Sequence, residues 1–171
     1  NAFTFREVIM NALYKYIRFW AYTIEILVFF VIERIPNLVP SVNHVKPMIL
    51  VPVAVMIALF EGKNVGIVFG FIIGLFLDTS ATGKIGFYSA VLACLGFLVG
   101  TAAQKIIKFN LITSVAFVIA FTTAFYFAHF IFEYLFRGYQ DAIYALFNHY
   151  LIGMLYTVML SPFIYFFNKA F

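Results

Sequence analysis

The side chains in this sequence that could do chemistry are few, and they lie inside or at the edges of apolar runs. Glu25 falls near the middle of the first such run, Phe19 to Ile35, and Asp78 ends the third. His129 and Glu133 stand four residues apart in the fifth run, one face of a helix, with Arg137 just beyond and Asn148 and His149 entering the sixth. An ionisable group in hydrocarbon costs several kcal/mol unless a partner receives it, so each of these needs a reason to be there. For Glu25 the choices are a protonated or hydrogen-bonded structural carboxyl, or a contact with a polar group on another helix or a partner. Asp78 has two choices as well: to accept from the backbone amides of the Thr79–Gly83 turn or pair with Lys84, or to meet a partner. Two histidines and one carboxylate spread over separate helices lack the spacing of a metal-binding helix, so the outer cluster reads first as a satisfied polar network, with a metal or proton site as the lesser alternative.

Catalysis finds no support in these residues. Neither a serine nor a cysteine stands beside a base, and the single Cys94 lies within an apolar run, which excludes an internal disulfide framework or a multi-cysteine metal site. The tetrad Glu61-Gly62-Lys63-Asn64 separates two apolar helices and lacks the Lys-Ser/Thr ending of a phosphate loop. No catalytic residue, metal or cofactor is therefore expected.

The densest pattern is made of residues without side chains. Gly62, Gly66, Gly70 and Gly74 repeat every four positions, and Asp78 continues the step. On a helix this places all five along one narrow stripe, where another backbone can approach closely. Two occupants fit: a neighbouring helix of the same chain, or a partner's transmembrane helix. Gly62, Gly66, Gly70, Gly74, Asp78 and Glu25 are accordingly the expected partner-binding residues. A second pair, Gly96 and Gly100, reads as internal packing.

The elements that must carry these residues follow from composition. Of 171 residues, 65% are hydrophobic and only 11% charged, and the mean hydropathy is +1.03, values that exclude a soluble globular domain. A bilayer core of ~30 Å takes ~20 helical residues, so the length accommodates six spans with short loops and no soluble domain. The expected spans are Phe19–Ile35, Pro47–Phe60, Val65–Leu77, Gly86–Gln104, Leu111–Phe136 and Ala142–Phe167, the last kinked at Pro162, where the carbonyl of Val158 loses its donor. The second and third are short and could instead form a re-entrant hairpin. Residues 1–18 read as an interfacial amphipathic segment or as an extension of the first span, and residues 19–171 as a single six-span domain. No removable leader is expected, because no small-residue cleavage site follows the first apolar stretch. With the N-terminus inside, inner loops and ends hold seven Lys and Arg against four outside, which puts both termini in the cytoplasm. The net charge of +4 is scattered over span ends, a topology marker and not a nucleic-acid surface.

The stretch Lys46-Pro47 through Phe60-Glu61-Gly62, then Gly66, Gly70-Phe71, Gly74-Leu75-Phe76-Leu77-Asp78, Gly86-Phe87-Tyr88 and Gly96-Phe97-Leu98-Val99-Gly100, resembles the rod-shape-determining protein MreD family. The resemblance implies an all-α, polytopic six-helix membrane bundle like the substrate-binding subunit of energy-coupling-factor transporters. It also implies a non-enzymatic scaffold of the bacterial inner membrane, within the cell-elongation machinery that synthesises peptidoglycan. The partners it implies are an MreC-like single-span protein, an MreB-like actin homologue and a peptidoglycan glycosyltransferase/transpeptidase. A vitamin-like small-molecule-binding subunit of a transporter is the competing expectation, resting on the shared fold and the cluster of His129, Glu133, Asn148 and His149.

Overall fold

The computed structural model describes residues 2–35, 47–79, 86–105, 110–132 and 150–169. Among these residues every element is helical: α1 (Ala2–Arg34), α2 (Leu50–Glu61), α3 (Lys63–Asp78), α4 (Phe87–Ala103), α5 (Leu111–Phe130) and α6 (Leu151–Lys169). Helix α1 runs without interruption, so the amphipathic N-terminal segment and the first apolar run form one rod. Residues 36–46, 80–85 with Lys84, 106–109, and 133–149 with Glu133, Arg137, Asn148 and His149 lie outside the described residues.

The helices alternate in direction. One end of the bundle joins Arg18 of α1 to Glu61 at the end of α2, brings Gly62 beside Gln104, and stacks Phe60 against Tyr165 of α6. The opposite end gathers Asp78, Tyr88, His129 and Tyr150. α5 and α6, at 20 and 19 residues, are the two described helices long and apolar enough to cross a membrane.

α2 is the centre. Its sequence is apolar on every side, and a helix hydrophobic all round belongs either in a protein core or in lipid; here it lies in the core. Leu50 through Leu59 are buried without exception, surrounded by α1, α3, α4, α5 and α6. Pro52 is tolerated because the first turn of a helix has no intrahelical use for its missing N–H. The chain reverses at Gly62, whose φ of 85° belongs to the left-handed region, and α3 begins one residue later.

α3 returns against α4 in the closest helix contact of the bundle. The two run antiparallel with Lys63 beside Gly100, Gly66 beside Gly96, Gly70 beside Leu92 and Gly74 beside Ser89. A Cβ added at Gly66 would stand 2.7 Å from the Cβ of Ala58 and 2.8 Å from the carbonyl oxygen of Gly96, and one at Gly74 would stand 2.6 Å from that of Tyr88. Of the two occupants the glycine spacing allowed, α4 of the same chain fills the notch. The physical reason is reciprocity: Gly96 and Gly100 present their own bare backbone, so two small-residue stripes mesh along one seam.

α1 attaches through rings. Phe19 packs on Phe69 at 5.0 Å, Phe30 on Phe76 at 4.8 Å and Phe29 on Phe167 at 5.9 Å between centroids, holding the helix to α3 and α6. In α6, Pro162 does release the carbonyl of Val158, and the hydroxyl of Ser161 donates to it at 2.7 Å.

Gly74→Ala separates the two roles of glycine in this fold. The added methyl meets backbone, which cannot rotate away, and is expected to lower stability by about 1–3 kcal/mol. Gly86→Ala meets nothing within 4 Å but must hold a φ of 94°, for about 1–2 kcal/mol. Thermal unfolding of both variants in one detergent checks the pair; an unchanged midpoint for Gly74→Ala would contradict the seam.

Candidate functional site: a groove on α1 with a buried carboxyl

Helix α1 divides its residues between two faces. Tyr22, Ile26 and Phe29 turn inward and are buried, whereas Leu13, Ile17, Trp20, Ile24 and Val28 turn outward and are about half exposed or more. Glu25 sits on the border between the faces. It is only 2% exposed, yet it lines a groove of about 450 Å³ walled by Leu13, Ile17, Ala21, Ile24, Val28 and Phe167. The wall positions recur at steps of three and four, so they form one continuous strip along the helix.

The carboxyl is held by α6. Asn168, 1% exposed, donates from Nδ2 to Oε1 of Glu25 at 2.6 Å and to the carbonyl of Ile164 at 3.1 Å. That leaves Oε2 of Glu25 and Oδ1 of Asn168 without a hydrogen-bond partner among the described residues. Asn168 is the partner of Glu25 that the sequence did not suggest. It falls one position beyond the expected end of the sixth span, where an amide reads as an interfacial residue, and the observed α6 extends past it.

The remaining polar groups are occupied in ways that hold the fold. Asp78 accepts from the backbone N–H of Tyr88 at 3.0 Å and of Ser89 at 3.1 Å, so it caps the start of α4; residues 80–83 of the Thr79–Gly83 turn, and Lys84, lie outside the described residues. Among the described residues the free donors of α4's first turn are thus served by a carboxylate from α3, and this locks the top of the glycine seam. His129 uses both ring nitrogens, Nε2 with the hydroxyl of Tyr88 at 2.6 Å and Nδ1 with that of Tyr150 at 2.8 Å, tying α4 to α5 and α6. A neutral imidazole meets this by accepting at one nitrogen and donating at the other. Thr157 receives the N–H of Met48 at 3.3 Å and donates to the carbonyl of Gly153 at 2.6 Å, which secures the start of α2. Among the described residues no three His, Cys, Asp or Glu side chains converge on a metal position.

A second cleft, of about 370 Å³, opens where Lys15 and Arg18 of α1 face Glu61 and Asn64. Arg18 pairs with Glu61 at 2.9 Å, and Tyr22 donates to the same carboxylate at 3.1 Å. Lys15, Arg18, Lys63 and Lys105 therefore share one end of the bundle.

Among the described residues, an all-helical bundle with a fully enclosed apolar helix, two helices long and apolar enough to cross a membrane and polar groups committed to interhelical contacts fits a membrane protein. The model of the rod shape-determining protein MreD family matches residues 14–171, nearly the whole sequence, and the chain belongs to that family. The family is one of membrane proteins that act in rod shape determination with the MreC and MreB shape complex. No curated protein matches the chain, and no solved structure does.

Removing the cap tests the role of Asp78. Asp78→Ala is expected to lower stability by about 1–2 kcal/mol, and Asp78→Asn by less, because the amide oxygen still accepts one N–H. Thermal unfolding in detergent reads the difference; equal effects for both would count against capping.

Proposed function

We propose that the protein is a non-enzymatic scaffold subunit of the rod-shape complex in the bacterial inner membrane, where it seats the transmembrane helix of an MreC-like single-span protein. In this reading all six helices cross or enter the bilayer and both termini are cytoplasmic. The gathering of Lys15, Arg18, Lys63 and Lys105 at one end of the bundle supports that orientation. The MreB-like actin homologue and the peptidoglycan glycosyltransferase/transpeptidase would then be reached through the complex, on opposite sides of the membrane.

The observation that carries the reading is the uncovered face of α1. The glycines of α3 from Gly66 to Gly74 pack against α4 of the same chain, which favours another face for a partner, and the aromatic contacts of α1 lie along its inward side. Its other side is a strip of apolar residues long enough to meet a single helix along several turns. Of the residues first expected to bind the partner, Glu25 is the one that borders this strip.

Ala21 is the small residue at the centre of the groove, and Ala21→Phe fills it without touching the inward face of α1. Co-purification with the MreC-like protein is expected to fall at least about tenfold, a loss of roughly 1.4 kcal/mol, with the melting midpoint unchanged. Phe71→Ala, on the exposed side of α3, should leave capture intact. Full capture by a folded Ala21→Phe variant would overturn docking on α1.

A further inference from the structure

The cleft at the basic end of the bundle lies between two helices that run the same way. From Lys15 to Tyr22 along α1 and from Asn64 to Phe69 along α3, both chains pass inward from that end, with Phe19 packed on Phe69 at 5.0 Å and Arg18 paired with Glu61 at the close of α2. The space of about 370 Å³ is amphipathic. Lys15, Arg18, Glu61 and Asn64 form a polar mouth, and Phe19, Val65 and Phe69 continue it inward as an apolar wall.

The charges in the mouth do not cancel. Glu61 is matched within the fold, because Arg18 pairs with its Oε1 at 2.9 Å and the hydroxyl of Tyr22 donates to the same oxygen at 3.1 Å. Lys15 is exposed and has no ion-pair partner among the described residues, so the cleft carries one positive charge beyond what its own carboxylate neutralises. Asn64, also exposed, stands in the first turn of α3, where the leading N–H groups have no carbonyl within the helix to bond and no side chain of the described residues caps them. An ammonium, an amide and the positive end of a helix thus meet beside one apolar wall.

That combination selects among ligands. A free anion would use the mouth and gain nothing from Phe19, 45% exposed, or from Val65. An uncharged chain would use the wall and leave Lys15 without a counter-ion. A zwitterionic head brings its own ammonium to a mouth whose carboxylate is already engaged by Arg18 and Tyr22. A phospholipid with one net negative charge uses both halves, and basic pockets between helices at a membrane surface suit such heads.

We propose that this cleft binds one anionic phospholipid, its phosphate between Lys15 and Asn64 and an acyl chain running inward over Phe19 and Val65. The lipid then bridges the peripheral helix α1 to the start of α3. The site needs neither the single-span partner nor the outer strip of α1; it rests only on the reading that the basic end of the bundle lies at a membrane surface.

The test is native mass spectrometry of the full chain released from nanodiscs of equal parts phosphatidylglycerol and phosphatidylethanolamine. One phosphatidylglycerol is expected to stay on the parent chain, favoured about fivefold or more over phosphatidylethanolamine. Lys15→Gln should lower that preference about fivefold and Lys15→Arg keep it within about twofold, whereas Lys105→Gln, which removes the same charge from the same end outside the cleft, should leave it unchanged. Asn64→Asp supplies Lys15 with a carboxylate from this chain and should act as Lys15→Gln does. Both positions are exposed, so neither change disturbs the core. Phosphatidylglycerol should raise the melting midpoint of the parent and not of Lys15→Gln, and inorganic phosphate should raise neither. Equal retention of the two lipids, an equal loss in Lys105→Gln, or stabilisation by inorganic phosphate alone would each overturn the site. Because Ala21→Phe reads capture of the single-span partner and Lys15→Gln reads lipid retention, either proposal can fail while the other stands.

Discussion

The structure depends on two backbones being able to touch. Helices α3 and α4 meet where glycine on at least one side leaves no side chain to hold the other away, at Gly66 against Gly96 and at Gly74 against the backbone of Ser89, and the other packing relations are built around that seam. In hydrocarbon, helices gain little from hiding apolar surface, since lipid is as apolar as leucine; what favours association is dense packing and the few hydrogen bonds that cannot be made with lipid. The seam supplies the first. Asp78, accepting from two amides at the start of α4, supplies the second at one end. With α3 and α4 fixed as a pair, their common flank becomes a wall against which α2 is enclosed, and α5 and α6 close the remaining sides.

That arrangement divides the molecule into a rigid centre and a peripheral helix. α2, α3 and α4 are joined by backbone proximity and a one-residue turn, whereas α1 is held by aromatic pairs and by a few polar bonds near its middle. Aromatic pairs contribute about 0.5–1.5 kcal/mol each beyond their buried area. A surface ion pair such as Arg18–Glu61 adds little stability, and its use is to fix the height of α1 relative to the α2–α3 turn. The consequence for function is that the outer face of α1 is set in position by the core without being consumed by it. The inward contacts hold the helix, and the outward strip stays available.

Much of this organisation was legible in the residues, though unevenly. The apolar runs and the break between the second and third of them at Glu61-Gly62-Lys63-Asn64 follow from local rules and correspond to described elements; Gly62 itself, expected at the head of the helical stripe, is the turn residue before α3, and α6 runs on through Pro162. The glycine repeat was equally plain, but its occupant was not, because a stripe of bare backbone is the same object whether its own chain or another fills it. The cue lay in the second pair: Gly96 and Gly100 carry the complementary spacing, and Lys63 to Gly74 paired antiparallel with Ser89 to Gly100 is the register that matches small residue to small residue. Glu25 announces itself as a carboxyl in an apolar run. Asn168 does not, since its meaning arises from a helix 143 residues away, and no local pattern encodes that distance. Tyr88 and Tyr150 read as interfacial aromatics for the same reason, until His129 is placed between them.

Placing a single polar pair between two otherwise apolar helices has a thermodynamic logic that favours selectivity over strength. Interhelical hydrogen bonds in membranes contribute on the order of 0.6–2 kcal/mol, so the bond from Asn168 to Glu25 cannot by itself hold α1 to α6. It can, however, discriminate. A slip of one residue turns the Glu25 carboxyl by about 100° away from Asn168 and leaves both groups unpaired in apolar surroundings, which costs more than the bond alone. Ring contacts alone accept several registers of nearly equal energy. A helix face interrupted once, at the border residue of α1, distinguishes one of them.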